Sequence, residues 1–249
     1  MRFRFSDILL FALLFVFVAA FPYDLLPLDI VYLYLVRIGL RLLIIAYYVY
    51  IIFKYKIKIF GVTNFINLLL CLPFFIVSIS NFTASWLFGG FNGVSMSPAV
   101  MTLSTVLTLL TAISEEIVFR LFIHNNLNVS SSFRRIVASA AIFALMHLLN
   151  LVNVSSLPAL ITVLVQTVYT FGLGLLLGTT YEYSHSLVGC MALHFVFNFF
   201  NSTLYLYFGG YCSDLAFYLT AVTFGVVVAI YGVLITIFYF QKYDRYFRQ

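Results

Sequence analysis

Two adjacent carboxylates and an arginine interrupt an otherwise apolar stretch, "TAISEEIVFR", at Glu115, Glu116 and Arg120. An ionisable side chain near the centre of a bilayer costs about 2.5–3.5 kcal/mol on insertion scales, so such a cluster is a candidate functional site. On a helix, Glu116 and Arg120 have the i,i+4 spacing of a favourable ion pair, whereas Glu115 points about 100° away from Glu116. We therefore expect Arg120 to neutralise Glu116 and Glu115 to face another neighbour. The alternative is a packing network of all three charges.

Two histidines also lie within apolar stretches. His147 follows Phe143 by four residues, and His194 precedes Asn198 by four, so each pair shares one helix face. A single histidine in an apolar helix is more often a hydrogen-bonded core residue than a catalytic one. The other two histidines lie near predicted helix ends, where we expect solvated side chains: His124 and His185.

The composition indicates a polytopic all-α membrane protein. Of 249 residues, 64% are hydrophobic and 8% are charged, and the mean hydropathy is +1.10. The net charge of +5 is therefore not the footprint of a nucleic-acid-binding protein, and the lipid bilayer is the expected partner. The three cysteines lack a C-x-x-C spacing, which argues against a disulfide framework or a cysteine zinc site. Without linkers or repeats, residues 1–249 are interpreted as one membrane domain.

Eight transmembrane spans of roughly 20 residues are predicted from the apolar runs and the turn residues between them. The first run has features of a signal peptide, but it ends in Phe21-Pro22, which favours an uncleaved helix. The predicted spans are Ile8–Phe21, Leu26–Phe53, Phe65–Ser80, Ala99–His124, Phe133–Asn150, Leu157–Tyr181, Ser186–Phe208 and Leu215–Phe240.

The basic residues outside these spans predict the orientation. With the N-terminus in the cytosol, every loop that carries lysine or arginine is cytosolic, and the outer loops carry Asp24 and Asp214 instead. We therefore expect both termini in the cytosol. Arg37 and Arg41 lie within the second span and share a helix face, which favours an interior ion pair or a water-lined groove.

The hairpin of the fourth and fifth spans predicts which polar residues meet. Glu115 and His147 are equidistant from position 131, so they should lie within about one 5.4 Å turn of the same depth. His194 lies about 12 Å into the seventh span, and Asn198 one turn deeper. We expect these four side chains to converge on one polar cavity among the fourth, fifth and seventh spans, reached from the cytosol.

These motifs, taken in order, resemble those of the CPBP family, the CAAX prenyl endopeptidase type II and bacteriocin-processing membrane proteases, also called Abi proteins. The resemblance rests on Glu-Glu-x-x-x-Arg, Phe-x-x-x-His and His-x-x-x-Asn, here Glu115, Glu116 and Arg120; Phe143 and His147; and His194 and Asn198. It implies an intramembrane endopeptidase with a catalytic core at about residues 99–208, in an integral membrane protein of a bacterial plasma membrane. Its substrate would be a hydrophobic, prenylated or bacteriocin-like peptide or protein.

The same residues suit amide hydrolysis on chemical grounds. Glu115 can act as general base with His147 holding the same water, while His194 and Asn198 can donate hydrogen bonds to the oxyanion. Glu116, Arg120 and Phe143 would support this arrangement. No cofactor is required in this scheme. The alternative is zinc bound by Glu115, His147 and His194, since two histidines and a carboxylate form a known catalytic zinc set.

Three other classes compete with a protease of this kind. A proton-coupled transporter would also keep buried Glu and His, but it would often show repeats with broken helices, and none is evident. A membrane immunity or scaffold protein would keep the fold without chemistry. A thiol enzyme could use Cys190, which lies one turn before His194, although a buried cysteine is commonly plain packing.

Overall fold

Helices make up all the regular structure that the computed structural model describes, as expected for a chain whose backbone must be hydrogen-bonded within lipid. The described residues are 5–57 without 20, 22, 24 and 25; 79; 87; 93–208; and 214–247. The third predicted span, Phe65–Ser80, lies almost wholly outside them.

The described helices are numbered here along the chain. They are α1 Phe5–Ala19, α2 Ile30–Lys54, α3 Pro98–Glu116, α4 Ser132–Met146, α5 Leu157–Ser184, α6 Leu187–Asn198 and α7 Asp214–Phe247. Two of them run on directly as π-helix, α3 into Ile117–His124 and α6 into Phe199–Leu204, followed by a last α turn at Tyr205–Tyr207. Helix α4 continues as the 3₁₀ segment His147–Asn153.

Serine caps fix where the helices begin. The hydroxyls of Ser97, Ser156 and Ser186 accept hydrogen bonds from the backbone N–H three residues later and satisfy otherwise unpaired donors of the first turn. At the other end of α5, His185 has φ of 51°, so a left-handed residue ends the helix just before Ser186 begins the next. Residues at these helix ends therefore determine where the breaks between the predicted spans fall.

Five helices are long and apolar enough to cross a membrane: Ile30–Lys54, Ser132–Val152, Leu157–Ser184, Leu187–Tyr207 and Val222–Lys242. They confirm a polytopic all-helical protein but not the count of eight spans. Helix α1 matches the first predicted span over its 15 described residues. The fourth span is present as α3 and its π continuation, and it carries the three clustered charges.

Close helix packing builds the frame around these charges. Helices α5 and α7 approach at Gly172 and Gly232, where a Cβ on either residue would collide with the opposite backbone. Such small-residue contacts allow membrane helices to touch along their backbones. Thr179 and Thr236 add a hydrogen bond of 3.0 Å across the same interface. Helix α3 packs between α2 and α6, which brings its charged turn to the centre of the bundle.

Candidate active site

The ion pair predicted on α3 is present and fully buried. Arg120 Nε donates to Glu116 Oε2 at 2.9 Å, and both side chains are 0% exposed. Arg120 Nη1 also donates to Ser139 Oγ at 3.3 Å, and that hydroxyl donates in turn to the Phe119 carbonyl at 3.0 Å. The guanidinium therefore ties the α3 region to α4, and its charge is compensated by Glu116.

His194 contacts both glutamates, which the sequence interpretation did not foresee. Its Nδ1 lies 2.8 Å from Glu116 Oε1, and its Nε2 lies 3.6 Å from Glu115 Oε2. Because Arg120 keeps Glu116 as an accepting carboxylate, Nδ1 is the donor in this hydrogen bond. Glu116 thus has two partners and fixes the ring of His194 as well as Arg120.

His147 is oriented by the backbone of its own helix. Its Nδ1 lies 2.9 Å from the Phe143 carbonyl, which can only accept, so Nδ1 carries the proton. In the neutral state both His147 and His194 therefore have an unprotonated Nε2. The buried ring of Phe143 contacts both imidazoles edge-on, with ring centroids 5.0 Å from His147 and 5.7 Å from His194. Phe143 thereby sets the positions of the two rings.

All four candidate catalytic side chains line one cavity of about 320 Å³, together with polar and apolar residues of α2, α3, α5 and α6. Its candidate catalytic residues are Glu115, His147, His194 and Asn198. The four side chains thus line one cavity, as expected from helix geometry. Glu115 is 12% exposed and faces this cavity, whereas neighbouring Glu116 is sealed behind it. The two adjacent glutamates therefore occupy different environments.

Among the described residues, the cavity extends from Glu115 toward one end of the bundle. From Glu115 its lining runs back along α3 to Ser104, about 16 Å by helix rise, and from His194 forward to Leu206. The lining residues lie at the level of Glu115 and His194 or farther from the connection at residues 125–131. The predicted orientation puts that connection in the cytosol, so it places the opening on the outer face. Among the described residues, buried side chains such as Phe119 and Arg120 fill the side that the predicted orientation puts toward the cytosol, so the described lining provides no cytosolic access.

Cysteine labelling should place the two ends of the cavity region on opposite sides of the membrane. Ser202 lines the cavity and Asn128 lies in the connection at the other end; both are exposed. In a background without the native cysteines, an impermeant maleimide added to intact cells should label Ser202→Cys, while Asn128→Cys should need permeabilisation. Labelling of both variants from the same side would contradict this geometry, and labelling of Asn128→Cys alone would reverse the orientation.

His124 corrects one expectation of the sequence analysis. Its side chain is fully buried rather than solvated, and its Nε2 lies 2.6 Å from Glu182 Oε2. Ser132 Oγ donates to the other oxygen of Glu182 at 2.5 Å, which joins α4 to α5 beside the π segment. His185 is exposed, as expected. The polar cluster around Glu182 lies at the closed end of the bundle and shares no residue with the cavity.

Several lining residues were not singled out from the sequence. Tyr169 and Gln166 reach the cavity from α5, and Gln166 accepts a hydrogen bond of 3.0 Å from Asn150. Thr108 of α3 is hydrogen-bonded to Thr203 at 2.8 Å. Single polar residues of this kind are frequent in membrane helices, so the sequence could have indicated only Thr108, through its position on one face of α3 with Thr111 and Glu115.

Zinc is the cofactor that these residue types suggest. The free Nε2 atoms of His147 and His194 and the carboxylate of Glu115 are suitable donors by type. Within the described part of the chain, however, no group of three or more His, Cys, Asp or Glu side chains is arranged to hold a metal ion. The side chains as placed therefore do not fit a zinc site.

The described molecule is thus an integral membrane helical bundle with a buried polar site. Residues 97–200 match the family described as "Type II CAAX prenyl endopeptidase Rce1-like", and this segment contains all seven motif residues. This match over residues 97–200 supports the CPBP/CAAX protease family that the motifs had suggested. The match overlaps the core predicted at residues 99–208. No curated protein and no solved structure matches the chain.

Proposed function

We propose that this protein is an intramembrane endopeptidase that hydrolyses a peptide bond with water activated by Glu115 and His147. Its family supports a CAAX-type membrane protease in general. The observation that carries the finer proposal is the separation of the two glutamates. Glu116 is locked by Arg120 and His194, while Glu115 faces a polar cavity shared with both histidines. A purely structural cluster would not require a carboxylate in that position.

The reaction is assigned to four side chains. Glu115 removes a proton from water while His147 Nε2 accepts the second proton in a hydrogen bond and orients the oxygen. The hydroxide adds to the substrate carbonyl, and Asn198 donates to the resulting oxyanion together with His194 in its doubly protonated form. Protonated Glu115 then delivers its proton to the leaving amine as the carbon–nitrogen bond breaks. Donation by His194 requires the imidazolium, because Nδ1–H is already directed at Glu116.

The substrate in this proposal is a hydrophobic or lipidated peptide or membrane protein, of which prenylated and bacteriocin-like peptides are examples. The cavity has apolar walls at Leu107, Leu173 and Leu206 beside its polar floor, and it lies among membrane-crossing helices. A segment that already resides at the bilayer could reach it without crossing water. The proposal also includes a bacterial plasma membrane and termini in the cytosol, on the basis of the charge distribution.

The proposed function and its independence of metal can be tested together, by comparing the peptide termini of membranes treated with different variants and with a chelator. Membranes incubated with the purified wild-type protein should gain new peptide termini that are missing with Glu115→Gln. The activity should survive a strong chelator, since the scheme assigns every proton transfer to side chains. Elemental analysis should find far less than one zinc per chain.

Two outcomes would contradict this proposal in different ways. Chelator-sensitive cleavage restored by zinc, with about one zinc per chain, would assign the water to a metal held by Glu115, His147 and His194. Identical termini with the wild type and Glu115→Gln would instead favour a non-catalytic immunity or scaffold protein. Arg134→Gln is a suitable control variant, because Arg134 is exposed and lies outside the active-site cavity.

A further inference from the structure

The backbone changes its helix type at His147. Helix α4 ends at Met146, and His147–Asn153 continues as a 3₁₀-helix of seven residues. Runs of 3₁₀-helix longer than three or four residues are uncommon, because their hydrogen-bond geometry is poorer than that of an α-helix. The segment that begins with His147 therefore depends on contacts with its neighbours to keep this conformation.

The change of helix type frees the carbonyl that orients His147. In a continued α-helix the backbone N–H of His147 would bond to the Phe143 carbonyl, four residues back. Here this N–H bonds to the Ala144 carbonyl, three residues back, and the Phe143 carbonyl accepts from Nδ1 of the His147 ring at 2.9 Å. The proton on Nδ1, and with it the free Nε2 that the proposed reaction uses, is therefore favoured by the 3₁₀ conformation.

One side-chain hydrogen bond holds this segment against α5. Asn150 Nδ2 donates to Gln166 Oε1 at 3.0 Å. With three residues per turn, Asn150 stands one turn beyond His147, about 6 Å further along the same face. An α-helix over the same residues would turn Asn150 about 60° away from this face and draw it in by about 1.5 Å. The hydrogen bond to Gln166 therefore favours the 3₁₀ conformation over the α-helical one.

Helix α5 is a firm support for this bond because it packs closely on α4 at a second point. A Cβ on Gly174 would lie 2.9 Å from Ala140 Cα and 3.2 Å from Phe143 Cδ1. Gln166 lies eight residues before Gly174, about two turns along α5. The hairpin is thus held by α5 on both sides of His147, at Gly174 in the preceding turns and at Gln166 in the following one.

We propose that Gln166 and Asn150 are positioning residues that hold His147 in place to orient the attacking water, an inference that rests on the proposed protease function. Their hydrogen bond keeps His147–Asn153 in the 3₁₀ form, and this form leaves the Phe143 carbonyl to the imidazole. Loss of the bond should therefore affect turnover and the protonation of the His147 ring more than substrate affinity.

The kinetics of matched variants test this role. Gln166→Met keeps the length of the side chain without the amide, so it should lower kcat by about tenfold with little change in KM, because a small misplacement of a catalytic group is costly. Gln166→Asn is one methylene too short and should act in the same way. The exchange variant, Asn150→Gln with Gln166→Asn, keeps the combined length and should restore most of the rate. Thr167→Val is the control, because the Thr167 hydroxyl donates only to the Val163 carbonyl of its own helix and lies outside the cavity lining.

Nitrogen-15 NMR of the histidine rings provides a readout that needs no substrate. In full-length protein labelled at its four histidines, the His147 signals, assigned with His147→Gln, should show a single Nδ1–H tautomer. Gln166→Met should mix in the Nε2–H tautomer, and the exchange variant should remove it again. The His124 signals come from the closed end of the bundle, so they should stay unchanged and show that the fold is intact.

Three results would overturn this role. Wild-type kcat in Gln166→Met would show that the hydrogen bond is dispensable. A lower kcat with unchanged His147 signals would assign Gln166 to the substrate instead. Failure of the exchange variant to restore the rate and the tautomer would show that the two amides do not act through their mutual bond. Absence of cleavage by the wild type would instead overturn the protease function, and the His147 tautomer would still decide whether the bond positions the ring.

Discussion

Replacement of Glu115 by glutamine should lower kcat by about 10²–10⁴ and leave the fold intact, because general acid–base groups typically contribute this much. Glutamine has nearly the same shape but cannot accept the proton of the attacking water. Glu115 faces the cavity and is not paired with Arg120, so loss of its charge should lower the melting temperature much less than loss of the Glu116 charge. The measurements are the cleavage rate of a substrate identified by proteomics and the melting temperature in detergent.

Glu115→Asp provides the matched comparison. It retains a carboxylate but withdraws it by one methylene, so it should keep partial activity and a changed pH profile. Unchanged turnover in Glu115→Gln would exclude this side chain as the base. A loss of melting temperature in Glu115→Gln as large as in Glu116→Gln would instead show that the two glutamates do not have separate roles.

Replacement of Glu116 by glutamine should destabilise the protein by about 3–5 kcal/mol, the usual cost of leaving one partner of a buried ion pair uncompensated. Arg120 is 0% exposed and would keep its charge without a carboxylate beside it. His194 would lose the anionic acceptor of its Nδ1–H, so activity should fall as well. The melting temperature in detergent and the yield of folded protein measure the first effect.

A second substitution separates the lost charge from the lost histidine contact. Glu116→Gln with Arg120→Met removes both charges, so it should recover part of the stability because no uncompensated charge remains. It should not recover activity, since His194 still lacks its anionic acceptor. If Glu116→Gln has the same melting temperature as the wild type, the buried ion pair does not stabilise the fold.

Much of this architecture could be predicted because it depends on local spacing. The i,i+4 rule placed Arg120 against Glu116, and the hairpin between the fourth and fifth spans placed His147 near the level of Glu115. Serine caps and apolar run lengths marked several helix starts. These features require only distances along the chain, which the sequence contains directly.

The contacts that the sequence did not reveal depend on how helices rotate against each other. His194 is bound to Glu116 as well as facing Glu115, because α6 presents it between the two carboxylates. His124 is buried since Glu182 reaches it from 58 residues away. The direction of the cavity depends on which side the aromatic core fills. None of these relations follows from the periodicity of a single helix.

The π segment after Asn198 has a consequence for the shape of the cavity wall. His194, Asn198, Ser202 and Leu206 are spaced by four residues, and along a regular α-helix each such step would turn about 40° further round the axis. A π turn contains more than four residues, so the step to Ser202 turns about 30° the other way. These four side chains therefore stay in one line along the helix. Deleting one residue within 199–201 would rotate Ser202 and Leu206 by about 100° round the helix axis, so the number of residues there sets which side chains line the cavity.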